Sequence, residues 1–287
     1  MKKLNYMEQK IYRSAFRRLA SSDGKWQSEI AATGSFSILH FPFFISLLFF
    51  FLLFINCLYS TNLQNNERLV FDIKYGVINA GEATLNIQKT EYRDQDAWRI
   101  FSTANTNSFF DRVFKVRDHI ESIATFDDLL SLTFIKRMHE GNYRQQRIHQ
   151  NYLNQGYSIY SQFRFGRGEW DERRMDIPSY TRDLLSAFYF VRTRDLVPGE
   201  SIPINITVDG RNNDTIVHVL RHETITTIFG RTECVVIEPA IQGEAIFRQT
   251  DAIHIWLTND DRKIPVLLQS KVIFGHFRAI LTKVEEI

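Results

Sequence analysis

The chain has 287 residues, 44% of them hydrophobic, with two cysteines and a formal net charge of +2. That apolar content suffices for a core and excludes wholesale disorder, and two cysteines exclude a disulfide scaffold. The near balance of 35 basic and 33 acidic residues removes any general electrostatic case for nucleic-acid binding.

Residues 1–35 form a basic lead, with Lys2, Lys3, Lys10, Arg13, Arg17, Arg18 and Lys25 against Glu8, Asp23 and Glu29. No charged side chain occurs from Ile30 to Asn66, and Phe41–Ile55 holds seven phenylalanines broken only by Pro42 and Ser46. With its flanks the apolar segment covers residues 36–59, enough for a helix to cross roughly 30 Å of hydrocarbon. A buried core helix of that length would carry a polar stripe. The positive-inside rule keeps the lead in the cytoplasm and exports the rest. Residues 36–59 therefore read either as an uncleaved signal anchor or as a cleaved signal peptide. Against cleavage, Leu58 and Tyr59 do not make a small-x-small site before Ser60. Cys57 also suggests a lipid attachment point, but Asn56 stands where a small residue is expected.

Residues 60–67 read as a short linker to a single exported domain, 68–287. From residue 61 onward there are 28 basic and 30 acidic residues, a net charge of −2. The basicity of the chain thus belongs to its lead, and a near-neutral surface argues against a DNA or anionic-membrane ligand for the exported part. Its hydrophobic pattern is period two throughout. Leu69–Tyr75 alternates, and Gly81 opens a second run carrying Leu85 and Ile87. Further strands are predicted at 98–104, 116–126, 133–139, 143–152 and 157–165. They resume at 202–208, 215–224, 226–229, 234–240, 245–249, 253–258, 266–273 and 277–284. Turn signals separate them, among them Gly141-Asn142, Gln155-Gly156, Asp209-Gly210, Gly230-Arg231, Asn259-Asp260-Asp261 and Gly275-His276. Links this short join antiparallel neighbours. About fifteen strands exceed what an open twisted sheet carries, so one large curved antiparallel meander is expected, barrel-like or split into two packed sheets. One helix interrupts it near 181–192, where Leu184, Leu185, Phe188 and Val191 recur at helical spacing. Thr181 or Ser179 is its expected cap, and Asp183 and Arg192 suit its dipole. The helix would cover the open end or the concave face.

Chemical motifs are sparse. His218 and His222 lie in a strand, about 13 Å apart by strand rise, too far for one metal ion. His139-Glu140 lacks the second histidine of a zincin, and Gly166-Arg167-Gly168 lacks the third glycine and the βαβ setting of a dinucleotide site. Ser186 lies inside the helix with no base in view, and Cys234 reads as a small buried thiol. No catalytic residue, metal ligand or cofactor is predicted. Phe109, Phe110, Phe114, Phe188, Tyr189 and Trp256 are candidate ligand-binding aromatics for a concave apolar pocket under the helix. Asp111, Arg117, Asp118, Asp183, Arg192 and Asp260 are candidate structural polar residues. Alternation places Arg117 and Glu121 on one strand face and Asp118 on the other.

These residues resemble a bacterial family, the domain of unknown function numbered 3108. The resemblance runs from about Leu69 to Leu281. It rests on residues 76–83 (GVINAGEA), Ser108-Phe109-Phe110-Asp111 with Val116-Arg117-Asp118, Glu140-Gly141, residues 183–192 (DLLSAFYFVR) and residues 256–266 (WLTNDDRKIPV). It implies an exported envelope protein of Gram-negative bacteria and hence a periplasmic address, either anchored in the inner membrane through residues 36–59 or released. It implies no activity and no catalytic residues. The expectation is a non-catalytic β module that binds a lipid-like ligand or an envelope protein, and no nucleic acid. The alternatives are a carboxylate-dependent envelope hydrolase using acids such as Asp111, Asp118 or Asp260, and a structural scaffold subunit. The hydrolase requires two acids converging in a cleft with at least one raised pKa.

Overall fold

In the computed structural model, residues 63–240, 253–272 and 275–286 are described. The basic lead, the apolar segment 36–59, Cys57 and the expected strand 245–249 lie outside these residues. Among the described residues no helix is long and apolar enough to cross a membrane.

Fourteen strands form a single sheet. They are β1 (Glu67–Tyr75), β2 (Ile78–Tyr92), β3 (Gln95–Thr106), β4 (Arg117–Thr125), β5 (Ser131–Glu140), β6 (Tyr143–Tyr152), β7 (Tyr157–Arg164) and β8 (Glu169–Asp176), followed by β9 (Ser201–Val208), β10 (Arg211–Thr227), β11 (Gly230–Pro239), β12 (Ile253–Thr258), β13 (Pro265–Val272) and β14 (Gly275–Glu286). The order across the sheet is β8 through β1, then β14 through β9, each pair antiparallel. The two ends of the domain's chain are therefore neighbours at the centre, joined by nine pairs from Glu67↔Glu286 to Tyr75↔Phe277. Tight hairpins make the meander. Arg93-Asp94 and Asp209-Gly210 both turn at positive φ (54° and 61°, 50° and 74°), the sense that matches strand twist.

The free edges β8 and β9 are not hydrogen-bonded to each other, so the sheet curls without closing. Side chains and the β8–β9 connection bridge the gap. Arg173 on β8 donates to the Gly210 carbonyl (2.5 Å), and His149 Nε2 accepts from the Gly210 N–H (3.0 Å). A Cβ at Gly210 would meet the Tyr160 ring and the Arg173 guanidinium. Asp209 holds Lys136 (3.0 Å) and Arg147 (2.8 Å). Within the connection, Arg182 pairs in parallel with Ile206 of β9, and the Ser131 N–H of β5 donates to the Thr181 carbonyl.

The connection carries the one α-helix among the described residues, α1 (Leu184–Arg192). Its cap is Asp183, not the expected Thr181 or Ser179. The Asp183 carboxylate accepts from the Leu185 and Ser186 N–H groups (2.9 and 3.0 Å), and Ser186 Oγ accepts in return from the Asp183 N–H. Such a reciprocal cap satisfies orphan donors at both ends of the first turn. α1 packs against β9, β4 and β3. Ala187 and Val191 enter a cluster with Ile204, Ile206, Val217, Val219, Val235, Ile237 and Leu257, while Tyr189 joins Ile87, Trp98, Ile100, Ala124 and Leu129. A third cluster holds Leu69, Phe71, Val236, Trp256 and Leu281. At the end of α1, Arg192 donates to both carboxylate oxygens of Glu67 (2.8 and 3.0 Å), and both side chains are 2% exposed. All three clusters and every strand pair lie within residues 61–287, so this unit holds its own core.

Some sequence expectations shift. The run predicted at 215–224 and the first two residues of 226–229 are one strand, β10, bulged between Val219 and Arg221, and Ile228-Phe229 make the turn to β11. β8 has no apolar alternation and was not predicted; an edge strand exposed on both faces needs none. Gly275-His276 begins β14 and Gly230 begins β11; neither pair is a turn.

Candidate functional site

The β3–β4 connection folds back over one end of the curled sheet. The Asn107 side chain starts it by accepting from the Phe109 and Phe110 N–H groups (3.1 and 3.0 Å), and a short 3-10 turn follows at Phe110–Arg112. Asp111 fastens the loop to β4. It accepts from Thr106 Oγ1 (2.6 Å) and takes a two-point bond from Arg117 (3.0 and 2.5 Å). The guanidinium of Arg117 and then the Thr106 hydroxyl hold the Asp111 carboxyl below the usual range. The loop is also stitched to two hairpins. Asn107 Nδ2 donates to the Asn79 carbonyl (2.7 Å), and the Gly141 N–H donates to the Lys115 carbonyl (2.7 Å).

Beneath this loop lies a cavity of about 460 Å³, within the range of roughly 300–1,000 Å³ usual for small-molecule sites. Ile73, Tyr75 and Ala80 form its wall with Thr106, Val116 and Phe277, and Phe110, Val113 and Phe114 roof it. Gly81 lines it too, and must be glycine, because a Cβ there would run into the Asn105 backbone. One lining side chain is ionisable in the acid range: Glu140, at the end of β5.

Glu140 does not stand alone. Ile120 faces Lys136 across the β4–β5 ladder, and Val116 bridges to Glu140. Asp118, between them, shares their face. Its carboxyl lies within hydrogen-bonding reach of Glu140's and also accepts from the His139 N–H (3.0 Å). Burial raises the pKa of both groups; the Asp118 charge raises Glu140 further, while the His139 N–H and the Glu140 hydrogen bond draw Asp118 back. Two carboxyls in contact do not both ionise readily, and of the two Glu140 is the one that its partner's charge and the shared hydrogen bond push further up. Chemically, this is a mainly apolar chamber with Glu140 in its wall and Asp118 in contact with it.

The sequence-flagged residues separate. Phe110 and Phe114 roof the cavity, and Phe109 stands beside Phe110, edge to face at 5.5 Å, largely in solvent. The other three are not under that loop. Tyr189 is on the buried face of α1, Phe188 is beside it on the same helix, and Trp256 belongs to the cluster with Leu69, Phe71 and Leu281. The expected pocket under the helix is instead filled by side chains, and the cavity opens under the β3–β4 loop. Among the polar candidates, Asp111 and Arg117 tie down that loop, and Asp118 meets Glu140. Asp183 caps α1 and accepts from Ser122 of β4 (2.6 Å), and Arg192 pairs with Glu67. Asp260 Oδ1 closes the β12–β13 turn by accepting from Thr258 Oγ1 and the Arg262 and Lys263 N–H groups. The acids named for a hydrolase, Asp111, Asp118 and Asp260, therefore do not converge. The one that finds an acid partner finds it in Glu140, which the sequence reading took as half of a failed zinc motif and as part of the family resemblance, not as a candidate site residue. The alternation Lys136, Met138, Glu140 was the available signal. Cys234 is fully buried, and burial pushes its thiol up to about 11, so it is no nucleophile at neutral pH. Among the described residues no cluster of three or more metal-ligating side chains occurs.

The fold has solved relatives. A β-barrel-like protein of the domain of unknown function DUF1849 from Brucella abortus superposes with a TM-score of 0.52 at 11% identity, over 77% of this chain and 97% of its own. A putative lipoprotein from Parabacteroides distasonis matches more loosely, with a TM-score of 0.31 at 10% identity over 77% of this chain and 96% of its own. The first likeness is one of fold alone. No curated protein matches the sequence. The model of the family described as "Protein of unknown function (DUF3108)" matches residues 70–282, which span the sheet from β1 to β14 together with the loop that roofs the cavity and both members of the acid pair; the chain belongs to that family.

Proposed function

We propose that this protein is a periplasmic binding module that holds an apolar or amphipathic molecule in the cavity under the β3–β4 loop. The single observation that carries this reading is the cavity itself: about 460 Å³, lined mainly by apolar residues with Asn105, Thr106 and Glu140 among them, and sited in the end of a curled sheet. Small barrels leave such a space only where side chains do not fill it. At the other end α1 and the buried Glu67–Arg192 pair do fill it, so the open end is a local property. A cavity also separates this reading from a plain scaffold subunit. Residues 36–59 would deliver the module to the periplasm, as an anchor or as a cleaved signal.

The acid pair adds a preference. An amine or hydroxyl head can donate to the Asp118–Glu140 pair, whereas a carboxylate or phosphate head would meet a like charge. Mass spectrometry of small molecules extracted from the full chain purified from native membranes tests the reading. One apolar or amphipathic species should accompany the wild type and be lost from Ile73→Trp, whose indole would occupy the cavity. No such species, or equal retention by both proteins, refutes it.

The acid pair also favours a second reading, a carboxylate hydrolase. Carboxyls in hydrogen-bond contact stand closer than the roughly 5 Å of a retaining glycosidase, so only a proton-sharing dyad fits. Turnover of an ester or amide library, abolished by Asp118→Asn, would support it over simple binding.

A further inference from the structure

Three segments meet at the cavity's end of the sheet: the β1–β2 turn (76–79), the β3–β4 loop (107–116) and the β5–β6 turn (141–144). Hydrogen bonds from Asn107 to Asn79 and from Gly141 to Lys115 make them one continuous tip. This tip exposes large apolar side chains that no other described residue covers. Val77 is 91% exposed, Val113 78% and Phe109 64%, with Ile78, Phe114 and Tyr143 about half exposed beside them. Contiguous apolar surface rimmed by polar groups marks an interaction site.

Charge says what kind. Within the three segments the exposed charged residues are Arg112, Lys115 and Arg144, all basic. The one acid there, Asp111, is neutralised by Arg117. Asp118 and Glu140 face inward, the exposed Glu82 lies down the wall opposite Asp72 and Asn105, and at the neighbouring β7–β8 turn Asp171 and Glu169 are paired with Arg164 and Arg167. The net charge of −2 over residues 61–287 thus hides a local cationic tip. The sequence expectation that this part avoids anionic membranes averaged over a surface that is not uniform.

We propose that the tip docks on an anionic lipid bilayer: Val77, Ile78, Phe109 and Val113 insert among the headgroups, and Arg112, Lys115 and Arg144 pair with lipid phosphates. Apolar side chains that enter the interface, flanked by cations, are the usual makeup of a peripheral membrane contact. The docked tip brings the roof of the cavity, Phe110 and Phe114, against the acyl region, so that a ligand passes between bilayer and cavity without crossing water. This ligand route rests on the cavity reading above; the docking itself does not.

The test uses residues 61–287, which contain every described strand and all three cores, so that the apolar segment 36–59 does not mask the result. Flotation with vesicles of phosphatidylcholine is compared with vesicles that also contain phosphatidylglycerol. The protein should float with the anionic vesicles, and added salt should release it. Arg112→Gln and Lys115→Gln should each weaken binding about fivefold, and Val77→Asp with Phe109→Asp should abolish it. Both side chains are largely exposed and neither lines the cavity, so these variants keep the fold, which an unchanged thermal melt verifies. A protein that stays in solution with both vesicles, or flotation indifferent to these substitutions, overturns the proposal and leaves the rim to a protein partner. In parallel, fluorescence of a dansyl-labelled alkylamine is read without vesicles. Loss of probe binding by Ile73→Trp alone concerns the cavity; loss of flotation by the Val77 and Phe109 variants alone concerns the tip.

Discussion

Acidification should loosen the closure of the sheet through one histidine. His149 is 1% exposed, its Nε2 accepts from the Gly210 N–H (3.0 Å), and its Nδ1 faces Ser158 Oγ (3.1 Å). A nitrogen that accepts a backbone N–H carries no proton, so the neutral tautomer with Nδ1–H donating to Ser158 is the one that fits. Protonation would set two N–H groups against each other at the turn that joins the sheet's edges. Burial, helped by Arg147 and Arg173 and opposed by Asp209, lowers the pKa from 6.5 to about 4. A depressed folded-state pKa means that the unfolded chain binds the proton first as pH falls. The histidine's contribution is therefore whole above pH 6.5 and is lost between 6.5 and 4. At about 1.4 kcal/mol per unit, that loss is about 3 kcal/mol, a large share of the roughly 5–15 kcal/mol that holds a domain folded. Urea unfolding at pH 7 and at pH 4 measures it, with His149→Gln as reference. Glutamine can still accept from Gly210 and donate to Ser158 but does not titrate. Carboxylates shared by both proteins cancel, so the wild type should lose about 3 kcal/mol relative to the variant across that range. A difference that stays constant with pH would refute the assignment of His149 as the acid-sensitive clasp.

Two further outcomes follow from buried charge. Glu67→Leu or Arg192→Met alone should cost about 3–5 kcal/mol in urea unfolding, because each strands the other charge in the core, whereas the double variant should be near neutral. Equal losses in all three would mean that the pair acts through shape and not charge. Glu140→Gln should melt higher than the wild type at mildly alkaline pH and equally at acid pH. The raised pKa of Glu140 makes its carboxyl favourable while protonated and costly as pH rises through that value. Thermal melts at the two pH values check the sign.

Strands were legible where one face meets the core. The bounds of β6 and β12 are legible where turn signals flank them, Gly141-Asn142 before β6 and Asn259-Asp260-Asp261 after β12. β8, the polar edge, carries no apolar alternation, and the division of β10 at Ile225 has no counterpart in the structure, whose bulge lies between Val219 and Arg221. The site was harder to read. Phe110 and Phe114 were flagged as aromatic, but their position depends on a loop that Asn107 and the Thr106–Asp111–Arg117 bonds turn back over the sheet. Glu67 was assigned to a linker, because its partner Arg192 lies 125 residues away. Glu140 was passed over for a similar reason: only the β4–β5 register sets Asp118 beside it.

The lining of the curled sheet explains why the cavity sits where it does. From β9 to β12 the inward positions are aliphatic: Ile204, Ile206, Val217, Val219, Val235, Ile237, Ile255 and Leu257. From β4 to β7 they include Asp118, Ser122, Lys136, Arg147, His149 and Ser158, which the ladders place on one face. Buried polar groups must find partners, and most of these find them in the β8–β10 chain that crosses the interior. Ser122 meets Asp183, Lys136 and Arg147 meet Asp209, and His149 meets Gly210. That segment stops short of the loop end. There Asp118 meets Glu140, at the expense of a raised pKa for each. The cavity wall of Ile73, Ala80 and Val116 under the roof phenylalanines, with Glu140 set in it, suits an amphipathic guest with a hydrogen-bond-donating head. Such a guest would supply at this end what the helix and the Asp209 turn supply elsewhere, and its binding should weaken when Glu140→Gln and Asp118→Asn remove the charge while leaving the volume unchanged.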